Sequence, residues 1–463
     1  QIHIRTTMAP SSKWGQTLLM PHCIFIVHLD IPMHHRVASR SNGVFSPTSE
    51  SSHASGRSGR WTGHTVLFAL MMLFTFNGSQ LHADVGNSDS IGQPRVLSQE
   101  EIRQGWLQLF DGESFFGWQN ASTANWEIQD RCLTVDQGQA PGLLATTTQF
   151  DCYRLRVDFW ASAETNSGIF LRTSPRPKSP SRDCIELNIA QRDLSPFPTG
   201  SLVERKSIDE DVTPDTWHRF DIKLLPQRVV VELDGQMILD EEIQSPSGRG
   251  FIGLQFNQGE TKFCNIFLQP LRLAPLFNGR DLSGWRTYPQ MKTQSTVTNE
   301  GALELAGGRG QIESMGTFGD FVLQLECRTL TPLTNSGVFF RCIPTEEMNG
   351  YEAQIQNEIV DGNPEQPADC GTGGIFRRVD ARRVNAQDGE WFTMTLIAVG
   401  PRFSAWVNGL QVTDWRDDRK EDLNPRRGLR LQPGTLMLQG HDPMSLVQFR
   451  GISAVELKPR IRK

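Results

Sequence analysis

The stretch LFDGESFFGW at 109–118 returns as LFNGRDLSGW at 276–285 with the same internal spacing. An internal repeat constrains the fold before any local pattern does, because each copy must make the same structure. The correspondence runs on in order. YRLRVDFW (153–160) matches FVLQLECR (321–328), TNSGIFLR (165–172) matches TNSGVFFR (334–341), and CIELNI (184–189) matches YEAQIQ (351–356). TGSLVERK (199–206) then matches TGGIFRRV (372–379), and IGLQFN (252–257) matches LMLQGH (436–441). Asn335 repeats Asn166 at a distance of 169 positions, a domain length rather than a solenoid period. Two tandem domains are therefore expected, over 97–272 and 273–463.

Each copy is built of short Val/Ile/Leu/Phe runs broken by Gly, Asn, Asp and Pro, a pattern of strands at regular spacing. The pairs Asp234-Gly235 and Asn408-Gly409 lie between such runs and favour tight hairpins, since both residue types tolerate positive φ. The expected class is all-β, with two tandem sandwiches or jelly rolls. One short helix is expected over 97–106, where Ser98 and Glu101 stand at capping-box spacing.

The segment before the repeats has a different character. Residues 1–60 are rich in Ser, His, Arg and Gly without periodicity and are expected to be disordered, or a mis-assigned extension, with Met33 one candidate start. Residues 61–83 read as a signal peptide. Arg57 and Arg60 precede an apolar run, TVLFALMMLFTF (65–76), too short to span a bilayer, and small or polar residues follow to Ala83. Residues 84–96 read as a linker. On this reading the mature protein begins near Asp84, has no transmembrane segment, and is exported to the periplasm or the cell exterior.

Residues 1–83 hold six Lys/Arg against two Asp/Glu, so an overall charge of −6 leaves the remainder at −10. A body that acidic is poorly suited to a phosphate backbone, and nucleic acid is not an expected partner. Seven of the eight cysteines follow residue 83 without CxxC or Cys/His ligand spacing, which argues against a structural zinc site. Cys327 and Cys342 read as small apolar core residues.

The stretch 334–356 carries the chemistry. Side chains alternate faces along a strand, so Tyr351, Ala353 and Ile355 point one way, and Glu352, Gln354 and Gln356 the other. The same parity groups Arg341 with Phe339, and His441 with Gln439. That polar face is either solvated surface or the lining of a groove. In the first copy Arg172 and Glu186 persist, but Asn188 stands for Gln354 and Asn257 for His441.

Taken together, LSQEEIRQGWLQLFDGESFFGW, LFNGRDLSGW, TNSG[IV]F[LF]R, YEAQI, TGGIF, GEW and WVNG resemble the 3-keto-disaccharide hydrolase family, across both copies (97–457). The resemblance implies concanavalin A/laminin G-like jelly rolls, secretion, and action on carbohydrate. It also implies a substrate ketone at sugar C3 that acidifies the C2 hydrogen. A base removes that hydrogen, the enolate expels the glycosidic oxygen from C1, and water adds back.

On this basis His441, Glu352 and Arg341 are the candidate catalytic groups. His441 or Glu352 would serve as base, and Arg341 would hold the enolate. Asn335, Gln354, Gln356, Gln439 and Phe339 are candidate substrate contacts. A His-plus-carboxylate site also suits a divalent metal, with no diagnostic spacing. The first copy, lacking the histidine, is expected to be degenerate, and the two domains to pack on each other. Loop 358–390, with Asp361, Pro364, Asp369, Cys370, Arg377, Arg378, Arg382 and Arg383, offers an arginine-rich lip to acidic sugars or a plain charged surface. The alternatives to an enzyme are a noncatalytic carbohydrate-binding (lectin-like) protein and a cell-surface structural protein.

Overall fold

The computed structural model describes residues 90–461, apart from 140, 245 and 247. The expected disordered extension and signal peptide lie outside the described residues. No helix among the described residues is long and apolar enough to cross a membrane.

Both copies are antiparallel β-sandwiches of the expected jelly-roll type. In each, a five-stranded sheet packs its apolar face on a larger one. The small sheet of the first copy runs in the order Trp118–Asn120, Gly142–Thr146, Phe251–Gln258, Asn166–Thr173, Ile185–Ala190. That of the second runs Trp285–Arg286, Gly310–Ser314, Thr435–Gly440, Ser336–Cys342, Tyr351–Ile355. Tyr351, Ala353 and Ile355 enter the second core beside Phe321, Leu323, Met394 and Leu396, as alternation requires.

The repeated LF(D/N)G…GW motif forms the same device twice. Asp111 Oδ1 accepts the N–H groups of Glu113 and Ser114, and Asn278 Oδ1 those of Arg280 and Asp281, so each closes a side-chain-capped turn. The closing tryptophan is buried and donates its indole N–H back to the opening leucine. Trp118 Nε1 bonds Leu109 O at 2.6 Å, and Trp285 Nε1 bonds Leu276 O at 2.9 Å. The helix Gln99–Arg103 carries the anticipated capping box. The end of the expected linker is tied down rather than free. Gly92 N–H donates to Asp158 Oδ2, and Arg95 N–H to Asn265 Oδ1.

The larger sheets are joined through the Leu107–Gln108 strand, which pairs antiparallel with Thr261–Pro270 and parallel with Leu410–Arg416. Thr147 Oγ1 donates to Asp414 Oδ2 at 2.8 Å, and Arg382 Nη1 to Asp111 Oδ2 at 2.8 Å. Trp406 Nε1 donates to Gln108 O at 3.2 Å.

Alternation fails at a matching place in each small sheet. The pairing of Ser336–Cys342 with Thr435–Gly440 slips between Phe339 and Cys342, and Arg341 takes φ +48°. This β-bulge turns Arg341 away from the face of Phe339. Its guanidinium is fully buried, 5.2 Å from the Phe403 ring centroid. Arg172 repeats the bulge at φ +50° and is equally buried. Gly434 and Gly250 lie against these bulges. A β-carbon on Gly434 would land on the Cys342 carbonyl, and one on Gly250 on the Arg172 backbone. Gly434→Ala should therefore cost about 1–3 kcal/mol of stability, read as a lower urea midpoint. An unchanged midpoint would show that the bulge has room to spare.

Candidate active site

In the second copy the outer face of the small sheet floors an open groove of about 500 Å³, lined by Phe339, Met348, Glu352, Arg377, Arg426 and Gln439 among others, with His441 at its rim. The TNSG motif builds this floor. Ser336 Oγ donates to Gln439 O at 2.7 Å and locks the two strands together. Gly337 makes room for the carboxylate, since a β-carbon there would lie 2.6 Å from Glu352 Oε1. The first copy repeats the construction. Ser167 Oγ donates to Gln255 O at 2.6 Å, and Gly168 faces Glu186.

Glu352 stands opposite Phe339 in the strand register and is half-buried. Burial pushes its carboxyl up to about 8, against the downward pull of Arg426 and Arg377 and with a further upward push from Asp369. A carboxyl titrating near neutrality, within an open groove, suits proton transfer at carbon. Glu186 in the first copy is pushed up to about 7, again chiefly by burial.

The structure divides the expected site residues. Glu352, Phe339, Gln439 and His441 meet at the groove. His441 follows the last residue of its strand, is 45% exposed at its side chain, and pairs through Nδ1 with Asp442 at 3.1 Å rather than with Glu352. Gln354 and Gln356 share the face of Glu352 but are buried, and neither lines the groove. Residues 374 and 376 add to the edge of their strand through Gln354 N–H to Gly374 O and Phe376 N–H to Glu352 O. Gln354 Nε2 donates to Asn335 Oδ1 at 3.2 Å and Gln356 Nε2 to Glu358 at 3.2 Å, so these three polar residues brace the wall and do not line the groove.

Arg341 is a correction. The bulge sends it to the core side, where it donates to the carbonyls of Gly319, Gly400 and Arg430 and pairs with Asp320 at 2.8 Å. It cannot hold an enolate in the groove. Strand parity misses a bulge because the inserted residue leaves no mark in apolar spacing. Gly434, pressed against the bulge, stands far from it in the chain.

The arginine-rich loop is divided likewise. Arg377 and Arg378 reach the groove, while Arg382 turns to Asp111 and stacks over Phe116 at 4.4 Å. Arg309 and Arg426, also in the groove, were not anticipated. They come from separate segments and carry no local signal. Among the described residues no group of three or more His, Cys, Asp or Glu converges as a metal site would. His441 and Asp442 offer two donors, too few for a protein-held metal.

The first copy's cleft is smaller, about 230 Å³, and more apolar, with Leu143, Phe170, Pro175, Pro177, Glu186 and Gln255 in its wall. Another cleft, of about 430 Å³, lies near Asp111, Arg131, Arg382 and Asn408. Asp111 there is paired with Arg382, and its hydrogen bonds hold its carboxyl below the usual range despite burial, so that cleft lacks a proton-transfer group like Glu352.

The family model for the 3-keto-alpha-glucoside-1,2-lyase-like domain matches the chain twice, over 105–269 and 273–454. The comparison with curated proteins found no match. Among solved structures, the chain is similar to two putative glycosyl hydrolases from Parabacteroides distasonis ATCC 8503. One is 18% identical, covering 39% of this chain and 100% of that chain with a TM-score of 0.35. The other is 24% identical, covering 40% and 100% with a TM-score of 0.33. It is also similar to the carbohydrate-binding module CBM66 from Bacillus subtilis, at 12% identity, covering 33% and 95% with a TM-score of 0.27.

Proposed function

The chain belongs to the 3-keto-alpha-glucoside-1,2-lyase-like domain family, and from that premise we propose that it cleaves 3-keto-glycosides in the groove of its second copy. The observation that carries this reading is Glu352, a half-buried carboxyl pushed up to about 8 at the floor of an open groove. Its carboxylate takes the proton from C2 of the sugar. The C–H electrons form C2=C3, and the C3 carbonyl becomes an enolate oxygen, stabilised in the field of Arg426. The enolate then reforms the ketone, C1=C2 forms, and the C1–O bond breaks. The departing oxygen takes a proton from His441 at the rim, and water adds across C1=C2 to complete hydrolysis.

Incubating the protein with a 3-keto-glucoside should release the aglycone, with a primary isotope effect when C2 carries deuterium. Binding without release would favour the lectin-like reading. His441→Ala should lower release of a sugar leaving group by about 10²-fold or more, and release of an activated nitrophenol much less, since only the former needs a proton. Equal losses for both would remove His441 from that role.

The first copy keeps Glu186 and Gln255 in an apolar cleft but has Asn257 where His441 stands. That supports a role in holding saccharide rather than cleaving it. The contacts of Asp414, Asp111 and Gln108 across the copies support a rigid pair of domains over 97–272 and 273–463. The apolar run at 65–76 supports export.

A further inference from the structure

We propose that the groove of the second copy selects saccharides bearing an anionic substituent, a uronic acid carboxylate or a sulfate ester. The inference rests on the glycoside-cleaving reading of the same groove. Four guanidinium groups line it: Arg309, Arg377, Arg378 and Arg426. Arg309 is matched by Glu347 at 2.6 Å. The other three have no carboxylate within ion-pair distance among the described residues. Arg426 Nη2 donates to Met348 O at 2.8 Å, and Arg378 Nη2 to Arg426 O at 3.1 Å. Arg377 is exposed and lies 5.2 Å from the Phe376 ring centroid. Backbone carbonyls thus fix Arg426 and Arg378 in place without cancelling their charge.

The acidic groups facing them do not restore balance. Glu352 and Asp369 supply at most two negative charges there, and Asp417, which also acts on Arg378, is already paired with Arg419. A guanidinium presents a planar fork of N–H groups that matches a carboxylate or sulfate, and three such groups unpaired about one groove favour an anion there.

The repeat supplies an internal comparison. Arg377 corresponds to Glu204, and the two residues hold the same left-handed backbone, φ +60° and φ +59°. Both are exposed, each one residue before an arginine, Arg378 or Arg205. One scaffold position therefore carries opposite charge in the two copies. Glu204 pushes the Glu186 carboxyl up, where Arg377 pulls that of Glu352 down. The first cleft is smaller and more apolar, walled by Phe170, Leu143 and prolines, with Arg176 and Lys178 as its cations.

The test compares kcat/KM of the full chain for the 3-keto forms of a nitrophenyl glucuronide, the matched glucoside and the glucoside 6-sulfate. The expected result is a preference of at least about tenfold for one or both anionic substrates at low salt, shrinking as salt screens the guanidinium field. Which anion is preferred identifies the source of the charge. In Arg377→Glu, which installs the first copy's charge, the anionic-to-neutral ratio should collapse, with circular dichroism reporting the fold. Arg426→Gln should lower the same ratio, guarding against failure of the first variant to fold. Equal turnover of all three substrates would overturn the charge preference while leaving the cleavage reading standing. A ratio unmoved in both variants would overturn the assignment to these arginines. Turnover of none would bring down both.

Discussion

Glu352→Gln should lower turnover of a 3-keto-glycoside by at least about 100-fold, with the protein still folded. The amide keeps the size of the side chain and removes its basicity, and general-base catalysis contributes about 10²–10⁴-fold. The pH profile of the unaltered protein gives the same prediction a second reading. The base must be ionised to accept the C2 proton. With its carboxyl pushed up to about 8, kcat/KM for an activated nitrophenyl substrate, which needs no proton from His441, should rise about tenfold per pH unit below 8 and level off above it. A rate already flat at pH 6 would remove Glu352 from the role.

Stability should move in the opposite direction. A carboxylate exposed in the unfolded chain titrates near 4.3, well below its folded value. The folded state therefore holds the proton over a window in which the unfolded state has lost it. The favourable contribution of the neutral form is fully present below about pH 4 and is lost as pH rises through about 8. The loss is on the order of a few kcal/mol for one buried group. Glu352→Gln stays neutral throughout, so it should unfold at higher urea than the parent protein at pH 9. An inactive variant that is more stable at alkaline pH would be hard to explain by damage to the fold.

Arg341→Met should cost about 3–5 kcal/mol, the cost typical of breaking a buried ion pair by removing one partner. The guanidinium ties together segments distant in sequence. It bonds the carbonyls of Gly319, Gly400 and Arg430 and pairs with Asp320, which also holds Arg249 from the first copy at 2.8 Å. Methionine fills part of the volume but leaves these acceptors and a partly buried carboxylate without that donor. Urea unfolding measures the loss. The fraction that remains folded should keep its kcat, because Arg341 does not reach the groove. A drop in kcat with unchanged stability would return Arg341 to the chemistry from which the bulge removes it. Arg172→Met should show the same destabilisation, since Arg172 is fully buried on the matching bulge and donates to the carbonyls of Leu225, Pro226 and Asp151.

The motifs legible in the sequence were those whose function is local. The LF(D/N)G…GW stretch at the head of each copy, whose turn and tryptophan bond close within ten residues, stood out as a repeat, and the capping box of Ser98 and Glu101 closes within four. The TNSG motif was visible as a repeat, but its purpose was not. Ser336 fastens a strand about a hundred residues away, and Gly337 yields space to a carboxylate on the next strand. Gln354 and Gln356 were placed on the correct face of their strand, yet both are buried there and lie outside the groove. Parity decides which way a side chain points and says nothing of what lies above it.

From the sequence alone came the duplication, the all-β class, the family, and the opposition of Tyr351, Ala353 and Ile355 to Glu352. These rest on periodicity and on order along the chain, which need no third dimension. Tertiary structure decided the rest. A single inserted residue turned Arg341 into the core, chain return brought Arg309, Arg377 and Arg426 around one carboxylate, and burial raised that carboxylate toward neutrality. Each depends on distances between segments far apart in the chain, and both desolvation and Coulomb energy follow distance in space, not position in sequence.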